Sequence, residues 1–126
     1  MTRVSFAERP AARPGSVLGK ALLRAAHFLG LRQSDVALVI GASPATVSRL
    51  ARGRELDPAS KEGELALLFV RAFRSLDALV GGDTSKARDW FHAHNEHVGG
   101  VPADRVRSVQ GLVETVRYLD AARGRN

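Results

Sequence analysis

Residues 31–53, LRQSDVALVIGASPATVSRLARG, admit few folds. Ala37 supplies the small side chain that lets two helices approach. Gly41, four residues on, supplies a turn in which positive φ is cheap only for glycine. Val36, Ile40, Val47 and Leu50 recur where two short helices would both turn them inward. Ser43 is placed to cap the second helix, and Pro44 stands at its first position, where the ring pre-sets φ. Together these constraints predict two short helices packed across a tight turn, a helix–turn–helix.

The rest of the chain also reads as helical. No strand-like alternation stands out, and apolar residues recur at three and four throughout, so the predicted class is all-α. Residues 1–15, MTRVSFAERPAARPG, carry two prolines without periodicity and read as a flexible arm. Ser16 is placed to cap a helix running to about Leu29, which Gly30 stops. Asp57-Pro58 offers a cap and a first-position proline for a long helix ending at Gly81-Gly82, with Phe69 and Phe73 at the centre of the core. Asp83 or Thr84 starts a helix through Trp90-Phe91. Trp90 and Phe91 give the second half a large apolar anchor, and Trp90 is expected in the core with its N–H on a backbone carbonyl. A last helical stretch spans roughly 103–122 with a break near 108–111, where Ser108 can cap the final helix. The expected organisation is an arm (1–15), a helix–turn–helix domain (16–56) and a helical C-terminal domain (57–126).

Charge suggests what the first half meets. The chain carries a formal +6. Residues 1–60 hold nine Lys/Arg against four Asp/Glu, and residues 61–126 hold ten against nine. A polyanion such as DNA would therefore meet the first half. The pattern Q-x-x-x-A-x-x-x-G-x-S-x-x-T-V-S-R resembles the Xre and phage-repressor class. In that class the start of the second helix faces base edges. By that resemblance Gln33 contacts phosphate, Ser43 and Thr46 lie at the backbone or groove edge, and Arg49 reaches a guanine. Arg52 and Arg54 suit phosphate. Pro44 and Ala45, where readers often sit, offer only apolar contact with a thymine methyl. One credible base reader remains, so the alternative is a structural relic or a protein-docking surface.

The C-terminal stretch DTSKARDWFHAHNEHVGGVPADRVRSVQGLVETVRYL is more specific than composition. Asp83, Ala87, Trp90, Asn95, Gly99-Gly100, Pro102, Gly111, Val113, Val116 and Leu119 fit the pattern of the C-terminal domain of Xre/MbcA/ParS-type antitoxins, which it resembles. With the helix–turn–helix the resemblance covers about residues 16–122, in the family's order. It implies a type II antitoxin that autoregulates its operon as a homodimer. Its partner would be a toxin with a RES domain, related to ADP-ribosyltransferases and acting on NAD, neutralised by direct binding. The residues implied in toxin binding are Asn95, Arg117 and the basic end Arg123, Gly124, Arg125 and Asn126. That end would contact acidic residues of the NAD pocket or block it sterically, unless it is simply a frayed terminus. The alternative is a stand-alone Xre-class dimeric repressor whose second half only dimerises.

Other chemistries are disfavoured. Cysteine is absent, which removes disulfides, thiolate zinc sites and cysteine nucleophiles. His92, His94 and His97 lie at offsets of two, three and five, unlike the i, i+4 pair of helical zinc sites, and read as exposed loop residues. No Ser/His/Asp or paired-carboxylate set stands out, so neither enzyme, metal nor cofactor is expected. No apolar run approaches membrane length, and the expected location is cytoplasmic.

Overall fold

The computed structural model describes residues 13–124, and among them every regular element is a helix. In chain order these are α1 (Pro14–Phe28), α2 (Gln33–Ile40), α3 (Pro44–Ala51), α4 (Lys61–Leu79), α5 (Thr84–Phe91), a 3-10 turn (Glu96–Val98), α6 (Pro102–Arg105) and α7 (Val109–Gly124). The longest helix, α4, is the hub: α1 and α2 pack on it from the first half and α7 from the second. One hydrophobic cluster therefore runs through both halves. Leu22, Val36 and Ile40 join Phe69 and Leu76 of α4, and these continue into Phe91, Leu112 and Leu119. Phe69 meets Phe91 edge to face at 6.3 Å, a favoured geometry for aromatic pairs.

Several boundaries differ from the sequence expectation, each for a local reason. Helix α1 begins at Pro14, with Arg13 as its cap residue and the Ser16 amide already bonded to the Arg13 carbonyl at 3.0 Å. A proline at N1 outweighs the Ser16 cap, so the last two residues assigned to the arm are helical. The rest of the arm, residues 1–12, lies outside the described residues. Helix α4 begins at Lys61. Ser60 Oγ accepts from the Gly63 amide at 3.0 Å. Asp57 and Pro58 are used one turn earlier, where the Asp57 carboxylate accepts from the Ala59 amide at 2.9 Å in an Asx-type turn. Other signals read correctly: Asp83 accepts from the Lys86 amide and Ser108 from the Gly111 amide, starting α5 and α7.

Two corrections concern aromatic side chains. Phe91, rather than Trp90, enters the core: it is buried, while Trp90 is half-exposed and stacked on Tyr118. Phe73, expected at the core's centre with Phe69, is likewise only part-buried and stacks on Phe28 at the surface. His92 lies just past α5 as its C-cap residue and is exposed, as expected of it, but its ring has a partner. Its Nε2 lies 2.7 Å from the Leu29 carbonyl. Arg88, one turn earlier, donates to the carbonyls of Phe28 (2.7 Å) and His27 (3.1 Å). The last carbonyls of α1 sit at its negative end, where Arg88 of α5 and His92 just past it supply donors.

Candidate functional site

The helix–turn–helix forms as its residues dictate. Gly41 closes α2 with φ of 68°, and its amide bonds back to the Ala37 carbonyl. Val36, Ala37, Ile40, Val47 and Leu50 are all buried. Ser43 Oγ accepts from the Thr46 amide at 3.1 Å and lies 3.0 Å from the Thr46 hydroxyl. Those two hydroxyls thus satisfy the start of α3 and each other. Gln33 stands exposed at the first position of α2.

The outward side of α3 carries Pro44, Ala45 and Arg49, with Arg52 and Arg54 just beyond; all five are exposed. Ala45, Arg49 and Arg52 follow helical spacing and share one side. No ion pair among the described residues engages these three arginines. The surface is therefore cationic, with Arg49 its only long hydrogen-bonding side chain within α3 itself. Such a surface can hold phosphates strongly and discriminate bases weakly.

The base of this surface is tied to the second half by a contact that sequence reasoning missed. Asp35, at the third position of α2, is buried; it accepts from the Arg32 amide at 2.9 Å and from Arg107 at 3.0 Å. Burial alone would raise its pKa. The Arg32 amide and the charges of Arg32 and Arg107 outweigh that, and the carboxyl is held below its ordinary value. An acidic residue in a helix's first turn is a visible signal. Its partner, 72 residues away, has no local signal at all.

In the second half the expected toxin-binding residues divide into two places. Asn95 belongs to a turn. Its side chain accepts from the His97 amide at 2.8 Å, and its backbone pairs both ways with Gly100. This turn rests on α7 through His97, whose ring stacks on Tyr118 at 5.2 Å, with Trp90 also stacked against Tyr118 at 6.2 Å. Arg105 braces it by donating to the Val98 carbonyl at 2.9 Å and by pairing with Glu114. Gln110 and Arg105 together lower the Glu114 pKa by bonding its charged form.

Arg117 is exposed on α7. Arg123 and Gly124 continue α7 two residues past the expected end. Arg125 and Asn126 lie outside the described residues. Arg123 lines a groove between α4 and α7 with Leu67, Arg71, Arg74 and Asp120, away from the Asn95 turn. The Asp120 carboxylate accepts from Ser75 at 2.8 Å and pairs with Arg71. Among the described residues no cluster of acidic or histidine side chains is arranged to hold a metal. No helix there is long and apolar enough to cross a membrane.

Two family models match the chain. The antitoxin Xre-like helix-turn-helix domain matches residues 8–71, and the antitoxin Xre/MbcA/ParS C-terminal toxin-binding domain matches residues 75–125. The two matches meet within α4, the helix on which both halves pack. None of the curated proteins matches the chain.

Proposed function

Because the chain belongs to the antitoxins with an Xre-like helix-turn-helix domain, we propose that it neutralises a RES-domain, NAD-using toxin by direct binding and represses its own operon. These families are antitoxins rather than enzymes, with a toxin as partner and a helix–turn–helix for DNA. In the proposed division of labour, Arg49 reads a guanine, Arg52, Arg54 and Gln33 hold phosphates, and Ser43, Pro44, Ala45 and Thr46 line the groove edge. A homodimer would place two such surfaces on two half-sites, which strengthens a thin single readout.

The observation that carries the toxin side of this reading is where the toxin-binding match ends. It runs to residue 125, through the last turn of α7 and its exposed Arg123. The basic end, with Arg117 and the Asn95 turn on the same domain, is the proposed contact with the mouth of the NAD pocket. Deleting residues 123–126 tests it, because α7 is anchored upstream by buried Leu112, Val116 and Leu119. The shortened chain is expected to keep its melting temperature and DNA affinity while failing to rescue growth from the co-expressed toxin. Full rescue by the shortened chain would remove the tail from the mechanism.

A further inference from the structure

A second surface on the molecule has the makings of a binding site. Along α1, Val17, Ala21 and Phe28 form an outward stripe at helical spacing, Val17 being 51% exposed. Opposite it on α4 stand Val70 and Phe73, and beyond them Leu67 at 49% exposure. Between the helices lies a groove of about 350 Å³ floored by Val17, Ala21, Val70 and Phe73. Phe73 of that floor stacks on exposed Phe28, ring centroids 5.9 Å apart, which extends the apolar surface beyond the groove. Its rim is cationic. Lys20, Arg24 and Arg74 line it, all exposed, and among the described residues no acidic one does.

We propose that this α1–α4 groove docks an acidic segment of the toxin with an apolar face, most simply an amphipathic helix. The proposal rests on the toxin-binding reading above and extends it to a region outside the matched toxin-binding segment. Three features select this occupant. An apolar floor gains nothing from a phosphate backbone, so nucleic acid suits the rim but wastes the floor. A second copy seated two-fold on the same groove would bring Lys20, Arg24 and Arg74 toward their own duplicates, an unfavourable like-charge contact. An acidic helix satisfies both parts, with leucine-type side chains entering the floor and carboxylates meeting the rim. The groove is also continuous with the one beside Arg123, since Val70 and Arg74 line both. A toxin held at the end of α7 therefore has the α1–α4 groove within reach of the same contact.

The test uses the full chain with two probes. One is a labelled Glu-rich helical peptide with leucines at i, i+4 and i+7, read by fluorescence anisotropy beside a scrambled peptide of equal charge. The other is the toxin itself, read by calorimetry. Arg24→Glu/Arg74→Glu and Val17→Asp alter only exposed positions, and thermal melts and circular dichroism confirm that the variants are folded. The patterned peptide is expected to bind at least roughly tenfold tighter than the scrambled one, and each variant to weaken both probes by roughly tenfold or more. Equal binding of the two peptides overturns the proposal, as does toxin affinity unchanged in both variants. Variants that instead split a dimer, or lose only DNA affinity, assign the groove to a second copy or to nucleic acid and overturn it too. Failure of the toxin-binding reading is distinct, because the unaltered chain would then bind no toxin.

Discussion

Gly41 and Gly111 each stand where two helices meet, and they are glycines for different reasons. At Gly41 the backbone itself requires it: φ is 68°, and the nearest atom to an added Cβ would be a leucine methyl at 4.0 Å. At Gly111 the backbone conformation is ordinary, but an added Cβ would lie 2.0 Å from the Arg105 carbonyl oxygen and 2.7 Å from its carbon. The first requirement is written in a single residue's torsion angle; the second arises from the corner where α6 doubles onto α7. The comparison extends to the whole molecule, with a first half organised by short-range rules and a second organised by close approaches and long-range pairs. Gly111→Ala should be the sharpest way to test it. Backbone must move to admit the methyl, so a loss of about 3 kcal/mol is expected, against about 1 to 2 kcal/mol for Gly41→Ala. Urea unfolding of the two variants measures both. Equal losses would mean that the α6–α7 corner yields easily and the contrast is false.

That contrast also explains what the sequence could and could not disclose. The helix–turn–helix was legible because Ala37, Gly41, Ser43 and Pro44 act on neighbours within a few residues. The starts of α5 and α7 were legible for the same reason, through Asp83 and Ser108. Arg88 and His92 have no such neighbours. Their partners are carbonyls some sixty residues back, and only the i, i+4 spacing hints that they share a face. The same spacing puts Phe91 on the buried side, four residues after buried Ala87, and leaves Trp90 one step off that face. The cationic groove of α1 and α4 was beyond reach, because Val17 and Phe73 are apolar residues at core-like spacing. Only the packing shows that their outer faces are left uncovered.

Asp35 and Arg107 offer the next largest effect and probe the join between the halves directly. Asp35→Ala removes both the bond to the Arg32 amide and the pair with Arg107, for an expected loss of about 2 kcal/mol near neutral pH. Arg107→Ala should cost about 1 kcal/mol, because its guanidinium side chain is 42% exposed and water takes part of the load. Acid supplies an independent check. The folded carboxyl has a pKa below its ordinary 3.8, so the unfolded chain takes up the proton first as pH falls. The stabilisation from Asp35 is complete above that value and is lost as pH drops through the lower folded one. The gap between the wild-type chain and Asp35→Ala should therefore close in acid. Parallel acid curves for the two would show that Asp35 stabilises neither α2 nor the join.

Ser43→Ala carries the smallest expected effect, and it isolates the local side of the comparison. The Ser43 hydroxyl satisfies the Thr46 amide, one of the donors that the first turn of α3 leaves without helical partners. Losing that cap should cost about 1 kcal/mol, within the range seen for serine and threonine caps. The cost stays small for two reasons. Water reaches the half-exposed Thr46 and replaces the partner its hydroxyl loses, while buried Val47 and Leu50 still clamp α3 onto the core. Helix α3 should then fray only at its first turn, and the denaturation midpoint should fall by less than it does for Asp35→Ala. A larger loss from Ser43→Ala than from Asp35→Ala would reverse the order argued here. It would mean that α3 depends on its cap more than on the tertiary contacts beneath it.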